Sequence, residues 1–268
     1  MTATVGDTPH KPVLRVSGVT MRFGGLTAVD GVDFTVGEQE IVGLIGPNGA
    51  GKTTFFNCLT GMYVPTAGQV IYRGTPLSGR PDLVTKAGVA RTFQNIRLFP
   101  NMTVVENVKV GRHCRTTVGA LSALVRGPKY RREERETEAQ ARELLDFVGL
   151  ADAADDLARN LPYGDQRRLE IARALASDPG LLLLDEPTAG MNPLETAQTK
   201  DLVFKIRDRG LAVVVIEHDM RFIFTLCDRV AVLVQGRKLI EGSPAQVQHD
   251  ERVIAAYIGT PAGSEQQA

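Results

Sequence analysis

An apolar run that leads directly into a glycine-rich loop constrains the fold of this chain more than any other feature. The run Ile41–Ile45 contains no polar residue, which is typical of a strand covered on both faces. The loop that follows fits the spacing G-x-x-x-x-G-K-T, and a helix is predicted from Thr54 to Leu59. This order of strand, loop and helix predicts a phosphate-binding loop. The alternative is a glycine-rich turn with a surface lysine, which needs neither flanking element.

The residues expected to contact a nucleotide follow from this loop. Its glycines allow backbone N–H groups to turn inward around phosphates, and the helix adds the positive end of its dipole. The Lys52 ammonium is expected to bridge the β- and γ-phosphates, and the Thr53 hydroxyl to bind Mg²⁺. The residues predicted to bind ATP in this segment are Gly46, Pro47, Asn48, Gly49, Ala50, Gly51, Lys52, Thr53 and Thr54.

A second apolar run ends in two carboxylates. The leucines of Leu181–Leu184 precede Asp185 and Glu186. At the carboxyl end of a strand beside the loop, Asp185 is placed to hold the Mg²⁺ shell, and Glu186 to polarise an attacking water. An acidic pair after a strand is by itself usually a solvated turn. Downstream of a phosphate-binding loop, the catalytic interpretation is favoured.

The composition argues against several classes of function. Over 268 residues, Lys+Arg and Asp+Glu are 31 each, so the formal net charge is zero and we expect no nucleic-acid partner. The basic stretch Lys129–Arg135 is interrupted by glutamates and fits a solvated helix face. The three cysteines are far apart, and the pair His113 and Cys114 is weak support for a metal site. No apolar run approaches the ~20 residues that span a bilayer.

Strand and helix signals alternate along the chain and predict a largely parallel sheet. Short β-rich runs at Val13–Val16 and Ala28–Val36 precede the loop, and one at Val70–Arg73 follows it. Helix formers dominate from Asn101 to about Asn160. A further buried strand is predicted at Ala212–Ile216.

The end of the chain carries two more structural signals. The strand-like segments Arg229–Val234 and Arg237–Glu241 flank Gln235-Gly236 and predict a hairpin, and a final helix is expected from Pro244 into Tyr257. Residues 1–12 are predicted to be a disordered lead-in and residues 260–268 a flexible tail. One domain is expected between them.

A segment ahead of the second carboxylate-bearing strand carries a family resemblance. Leu161–Leu175 reads LPYGDQRRLEIARAL, and its tail from Arg168 fits the helix that follows an L-S-G-G-Q-type signature. The chain resembles the ATP-binding subunits of ABC transporters from about Val13 to Gly259. The resemblance implies an α/β P-loop NTPase fold of the ABC ATPase type, with an antiparallel β subdomain and an α-helical subdomain inserted at about residues 97–165. It also implies ATP hydrolysis coupled to transport, with ATP and Mg²⁺ bound.

The head of the signature departs from the common pattern. Pro162 replaces the serine, Tyr163 the first glycine and Asp165 the glutamine, whereas Gly164 is retained. In this family the signature of one subunit closes over the γ-phosphate bound to the other. Because Pro162 has neither a hydroxyl nor an N–H, the Gly164 backbone and the helix dipole are the expected donors.

Other positions are interpreted through the same resemblance. Gln94 looks like the glutamine that reaches Mg²⁺ and the attacking water, and His218 like the switch histidine at the γ-phosphate. Phe23 lies where the family places an aromatic ring on adenine, although it could equally belong to the core. The segment Ala189–Pro193 resembles the D-loop, with Asn192 where aspartate is commoner.

Several segments resemble one branch of the family, the ATPases of branched-chain amino acid importers. They are Arg22–Val29, the Tyr-Gly form of the signature, Ala189–Pro193 followed by Glu195, Ile216–Met220, Ala255–Gly259 and an extended helical insert at about His113–Glu138. The branch implies membership of an assembly with two membrane permeases, a second ATPase subunit and an extracytoplasmic solute-binding protein, with this chain at the cytoplasmic face of the membrane.

The coupling surface, the transported solute and the type of ABC protein remain to be considered. The permease-coupling surface is expected around Gln94–Asn107, with Ile96, Leu98, Phe99 and Met102 exposed. Related importers for urea or short amides have similar ATPases, so these solutes stay open. An ATPase of an exporter or lipid extractor is a further alternative. A soluble ABC ATPase acting on ribosomes or DNA is disfavoured because the chain has one such domain and no heptads.

Overall fold

The computed structural model describes residues 12–115 and 128–258. Apart from Pro12, the predicted lead-in lies outside this part, as do the predicted tail and residues 116–127 of the helical insert. In chain order the elements are β1 (Leu14–Phe23), β2 (Leu26–Val36), β3 (Ile41–Ile45), α1 (Lys52–Leu59), β4 (Ala67–Tyr72), β5 (Thr75–Pro76), α2 (Pro81–Ala87), β6 (Val89–Arg91), α3 (Val104–Arg112), α4 (Pro128–Val148), α5 (Tyr163–Leu175), β7 (Leu181–Asp185), α6 (Pro193–Asp208), β8 (Ala212–Ile216), α7 (Met220–Leu226), β9 (Arg229–Val234), β10 (Arg237–Gly242), α8 (Pro244–Gln248) and α9 (Glu251–Ile258).

An antiparallel sheet has the strand order β2-β1-β4-β5. Strands β1 and β2 extend beyond the apolar runs predicted for them, because cross-strand pairs such as Arg22 with Thr27 continue the ladder through exposed residues. On the inner face, Phe34 packs edge-on against Phe55 of α1, with ring centroids 5.6 Å apart. The sheet therefore lies against the helix that follows the glycine-rich loop.

A second sheet has the order β10-β9-β3-β8-β7-β6. Its strands are parallel except for β10, which pairs with β9 in the predicted hairpin. Every residue of β3, β7 and β8 is buried, as expected for strands covered on both faces. Gln235 and Gly236 both have positive φ, which suits a two-residue hairpin turn. The carboxyl ends of β3, β7 and β8 meet at one edge of this sheet.

The helices α3, α4 and α5 pack on one another, and their buried side chains belong to the same hydrophobic core as one face of the second sheet. Their shared interior contains fully buried Val108, Leu145 and Leu169. Gly111 permits the close approach of α3 to α5, because a Cβ atom there would lie 2.0 Å from the Arg173 carbonyl oxygen. In the described part of the chain, no helix is long and apolar enough to cross a bilayer.

The final helix differs from its prediction. The expected continuous helix from Pro244 into Tyr257 is interrupted, since α8 ends at Gln248 and α9 begins at Glu251. The carboxylate of Asp250 accepts hydrogen bonds from the N–H groups of Arg252 (2.9 Å) and Val253 (3.4 Å), and so starts a new helix. A local capping signal therefore divides the segment that was expected to form one helix.

Three elements ahead of Gln94 were not predicted, namely β5, α2 and β6. Helix α2 begins with Pro81 in the first turn, a position where the ring costs nothing, and ends at Gly88 with a positive φ. Strand β6 is three residues long and is held by its pairing with β7. Such a short strand depends on tertiary pairing and has little periodicity of its own.

Candidate active site

A cavity of about 620 Å³ opens at the edge where the carboxyl ends of the parallel strands meet. Its lining includes residues from the glycine-rich loop, from the segment after β6, and from the turns after β7 and β8. The residues that line it are Leu26, Thr27, Ala28, Asn48, Gly49, Ala50, Gly51, Lys52, Thr53, Thr54, Gln94, Glu186, His218, Gln235 and Gly236. Most of the predicted site residues are therefore brought to one cavity.

The glycine-rich loop needs glycine where other backbone comes close. A Cβ atom at Gly46 would lie 2.1 Å from the Leu233 carbonyl oxygen, and one at Gly51 would lie 2.3 Å from that of Ala28. Both glycines also have positive φ. The loop is thus pressed against the start of β2 and the end of β9, and it can turn only with these glycines.

The Lys52 side chain lies across the loop. Its ammonium donates to the carbonyl oxygens of Gly46 (2.6 Å) and Pro47 (3.0 Å). Burial lowers the pKa of Lys52, and the nearby carboxylates of Glu186 and Asp185 oppose this shift. Gly46 and Pro47 do not line the cavity, but their carbonyl oxygens bond Lys52, and that of Pro47 also accepts from the Ala50 N–H at 3.2 Å. The helix α1 begins at Lys52, two residues earlier than predicted, so the loop passes directly into its first turn.

The Glu186 carboxylate contacts two other predicted residues, Gln94 and His218. Its Oε1 atom lies 2.7 Å from His218 Nε2, and its Oε2 atom accepts from Gln94 Nε2 at 2.8 Å. The Glu186 N–H donates to the Ile216 carbonyl at 2.9 Å, which ties the turn after β7 to the end of β8. Glu186 has φ 48°, a left-handed conformation that is uncommon outside glycine. The backbone is therefore held in a costly conformation that directs this carboxylate toward Gln94 and His218.

Asp185 is buried and has a cationic partner that the sequence analysis missed. Arg91 Nη2 donates to its Oδ2 atom at 2.7 Å, and Arg91 Nη1 donates to Asn57 on α1 at 2.6 Å. Arg91 ends β6, three residues before Gln94. In the sequence, the only sign of this buried pair is an arginine directly after the apolar pair Val89-Ala90. An exposed arginine at the end of a strand would give the same sequence pattern.

Glu217 is a second buried carboxylate that the sequence analysis did not single out. It accepts from the N–H groups of Thr188 (2.9 Å) and His218 (2.8 Å), and also from the Thr188 hydroxyl. These bonds connect the turn after β7 to the turn that carries His218. Glu217 therefore positions the backbone of the histidine.

Phe23 and Gly164 lie apart from the lining of this cavity. Phe23 is 42% exposed and packs edge-on against Tyr63, with ring centroids 5.3 Å apart, so it does not belong to the core. Gly164 lies in the first turn of α5, where a Cβ atom would meet Glu195 Oε1 at 2.8 Å. Pro162 is the N-cap residue of α5 and provides no side-chain cap. A nucleotide contact from this helix would have to reach another copy or subunit.

The predicted coupling surface is less exposed than expected. Phe99 is 45% exposed, but Ile96, Leu98 and Met102 are each partly buried. Leu98 packs against the main hydrophobic core. The buried amide of Asn107 organises the loop, because it accepts from the Phe99 N–H at 2.8 Å and donates to the Phe99 and Thr103 carbonyls.

The chain is similar to known ATP-binding proteins of transporters. The family model described as ABC transporter matches residues 29–189, and the one described as Branched-chain amino acid ATP-binding cassette transporter matches residues 237–263. The chain is 47% identical over 251 residues to the high-affinity branched-chain amino acid transport ATP-binding proteins BraF of Pseudomonas aeruginosa and LivG of Escherichia coli K12. Each alignment covers 93% of this chain and 98% of the relative.

The chain belongs to the ATP-binding proteins of ABC transporters. A nucleotide-free ATP-binding cassette from an ABC transporter superposes with a TM-score of 0.81 at 29% identity, covering 93% of this chain and all (100%) of that one. A cassette in its ADP conformation gives 0.81 at 30% identity, with coverages of 93% and 99%. The protein is thus an ABC ATPase, the ATP-binding and ATP-hydrolysing subunit of a transporter, which implies partner subunits that form the membrane pathway.

Proposed function

We propose that this ABC ATPase drives the uptake of branched-chain amino acids. The observation that carries the proposal is the C-terminal match at residues 237–263, to a model specific for branched-chain amino acid cassettes. The 47% identity to BraF and LivG over 98% of their lengths supports it. The transported solute does not contact an ATP-binding subunit. The site geometry therefore supports ATP hydrolysis, and the similarity to the relatives supports the identity of the solute.

ATP is bound, in this proposal, with its phosphates in the glycine-rich loop. Backbone N–H groups of residues 48–54 and the Lys52 ammonium would hold the β- and γ-phosphates, and the amino end of α1 would face them. Phe23 would provide a face for the adenine ring, since its ring is accessible to solvent. Gly164 would provide backbone N–H groups to the nucleotide of a neighbouring ATPase subunit.

Mg²⁺ suits the oxygen donors at the carboxyl ends of the strands. The Thr53 hydroxyl, the Asp185 carboxylate and the Gln94 amide oxygen are hard ligands, and hard oxygen ligands are the ones that Mg²⁺ prefers. Among the described residues, no group of three or more His, Cys, Asp or Glu side chains could hold a metal ion. The donor set therefore fits an ion held by few protein groups together with substrate phosphates. When bound, the ion would neutralise charge that develops on the transferred phosphoryl group.

We propose Glu186 as the general base for hydrolysis. Its carboxylate would accept a proton from the attacking water as the new P–O bond forms and ADP leaves. Gln94 and His218 hold one carboxylate oxygen each, at 2.8 and 2.7 Å, so the acceptor is already oriented. His218 would also donate to the γ-phosphate, and Lys52 would stabilise its developing charge.

The proposed assembly has two ATPase subunits around two ATP molecules. Because Gly164 does not line this chain's own cavity, the signature helix would serve the site of the second ATPase subunit. Two membrane permeases would dock on the loop that carries Phe99, and an extracytoplasmic solute-binding protein would deliver the solute. The chain would then lie at the cytoplasmic face of the cell membrane.

Uptake of labelled solutes tests the proposal. Cells in which this locus carries Lys52→Ala would be compared with native cells for leucine, isoleucine, valine, other amino acids, urea and sugars. The control is Lys205→Ala, an exposed lysine on α6 that lies outside the site. We expect selective loss of leucine, isoleucine and valine uptake in the first variant alone. Loss of a different solute would keep the ATPase role and reject the cargo, and retention of all uptake would reject import.

A further inference from the structure

Helix α5 carries two charged side chains on its buried face. The Arg167 and Glu170 side chains are 4% and 2% exposed, and their nearest charged atoms lie 3.3 Å apart. Burial of an ion pair costs more than the pair recovers unless further hydrogen bonds satisfy both groups. The additional partners of these two side chains therefore indicate what the pair does.

Most of those partners belong to one short segment, residues 93–97, which we call the glutamine loop. Arg167 donates to the Phe93 carbonyl at 2.6 Å and to the Gln94 carbonyl. Glu170 Oε1 accepts from the N–H groups of Phe93 and Arg97, each at 3.4 Å. The loop lies outside the helices and strands, so its backbone groups need such partners. Arginine suits this role because its planar fork can reach two carbonyls at once.

The same arginine also contacts the start of its own helix. Arg167 Nη2 lies 3.1 Å from the Tyr163 hydroxyl, in the turn that contains Gly164. One guanidinium therefore connects the backbone of Gln94 to the amino end of α5. Gln94 in turn donates from its side chain to Glu186 Oε2 at 2.8 Å. The contacts form a continuous path from the signature helix to the carboxylate at the cavity.

We propose that Arg167 and Glu170 are positioning residues that fix the glutamine loop and thereby aim the Gln94 amide at Glu186. The proposal rests on the roles assigned to Gln94 and Glu186 under the proposed function. The signature helix then has a second role, because besides serving the neighbouring nucleotide it sets the geometry of hydrolysis in its own subunit. In an assembled pair, α5 would therefore link the two ATP sites through a single arginine.

The test uses a paired replacement in the full chain. Arg167→Met alone would leave the Glu170 charge buried and unpaired, so Arg167→Met with Glu170→Met removes both charges and keeps apolar bulk. The pair variant is made in the native background and in Gln94→Ala. ATP affinity, KM and kcat for ATP turnover are measured in each, with thermal unfolding as the folding check.

We expect the pair variant to lower kcat by about 10- to 100-fold, because a displaced catalytic group costs about that much. ATP affinity and KM should change by less than about twofold, since the pair variant leaves the glycine-rich loop that would bind the ATP phosphates unchanged. In Gln94→Ala, the pair variant should lower kcat by less than about twofold, because both changes act through the same amide. Equal losses in both backgrounds would overturn the proposal.

Two further variants keep the test decisive. Arg168→Met is the matched control, because Arg168 lies on the same helix and pairs with Asp165 instead of the glutamine loop; its kcat should be native. If the pair variant does not fold, Arg167→Lys keeps the charge without the fork and should lower kcat only when Gln94 is present. A native kcat for Gln94→Ala would reject the role of Gln94 and with it the proposal. A low kcat for Gln94→Ala with a native kcat for the pair variant would reject the positioning role alone.

Discussion

Arg91 donates a hydrogen bond of 2.7 Å to the carboxylate of Asp185, and the two side chains are only 7% and 5% exposed. The same guanidinium bonds Asn57 on α1 and lies against the rings of Phe56 and Phe93. One cation therefore connects the helix after the phosphate loop, the carboxylate proposed for Mg²⁺, and the glutamine loop. Loss of the Arg91 charge should therefore destabilise the protein most when no Mg²⁺ is bound, because the Asp185 carboxylate then has no paired cation.

Arg91→Met should lower the free energy of unfolding by about 3–5 kcal/mol without nucleotide, because it leaves the Asp185 carboxylate buried and unpaired. Mg-ATP should stabilise this variant more than the native protein, since the ion would neutralise that carboxylate. Denaturant unfolding with and without Mg-ATP measures both effects. The control is Arg97→Met, which removes an exposed arginine stacked on Phe93. Equal stabilisation of Arg91→Met and the native protein would contradict the expectation.

Glu186→Gln should retain ATP binding and nearly abolish turnover. The amide keeps the shape of the carboxylate but cannot accept a proton, and a positioned general base typically contributes about 10²–10⁴-fold. We expect kcat to fall at least about 100-fold, with a closed dimer accumulating in ATP. ATP hydrolysis and the molar mass in solution are the readouts, and Glu143→Gln, at an exposed position on α4, is the control. Unchanged hydrolysis would reject Glu186 as the base.

Pro162→Ser should raise the ATPase activity of the assembled complex. Pro162 has an extended conformation at the N-cap of α5, which serine can adopt without strain. The serine would add a hydroxyl and an N–H where the signature now lacks both. Steady-state ATP hydrolysis of the native and variant complexes measures the gain. No change, or a loss, would show that the backbone donors around Gly164 are sufficient.

Asn107→Ala should destabilise the fold and disorganise the loop that carries Phe99. The Asn107 side chain is fully buried, and its removal leaves the Phe99 N–H without its acceptor, while the Phe99 and Thr103 carbonyls each lose one of two hydrogen bonds. We expect a loss of about 1–3 kcal/mol in the free energy of unfolding, because one buried donor is left unsatisfied. Asn101→Ala, which loses one exposed bond from Arg159, should cost less than about 1 kcal/mol. Equal costs for the two variants would argue against a special role for Asn107.

Local patterns predicted the parts of the site that depend on local chemistry. The glycine spacing before Lys52 and the carboxylates after Leu184 each lie within a few residues of a strand, so their placement follows from chain direction. The fold class was predicted from the alternation of strands and helices and from the family resemblance, and the structural neighbours confirm it. The pairing of Glu186 with Gln94 joins residues 92 positions apart and could be inferred only through the family resemblance.

The residues that were missed are charged groups whose burial is a tertiary property. Arg91, Arg167, Glu170 and Glu217 look, in sequence, like polar residues on solvated helix faces or strand ends. Their environment arises only when α5, β7 and β8 pack together, which no periodicity encodes. The break in the final helix was missed because Asp250 is an ordinary surface residue until its capping bonds form.

The turn between β9 and β10 has a consequence for dissecting the protein. The Gly236 N–H donates to the Ala50 carbonyl at 3.0 Å, and the Gly236 carbonyl accepts from the Asp30 N–H at 2.9 Å. The glycine-rich loop is therefore supported by backbone groups that lie almost two hundred residues further along the chain. A minimal nucleotide-binding fragment therefore cannot stop after Glu186 or His218. A proteolytic cut that removes this hairpin would leave the loop intact in sequence but without its support.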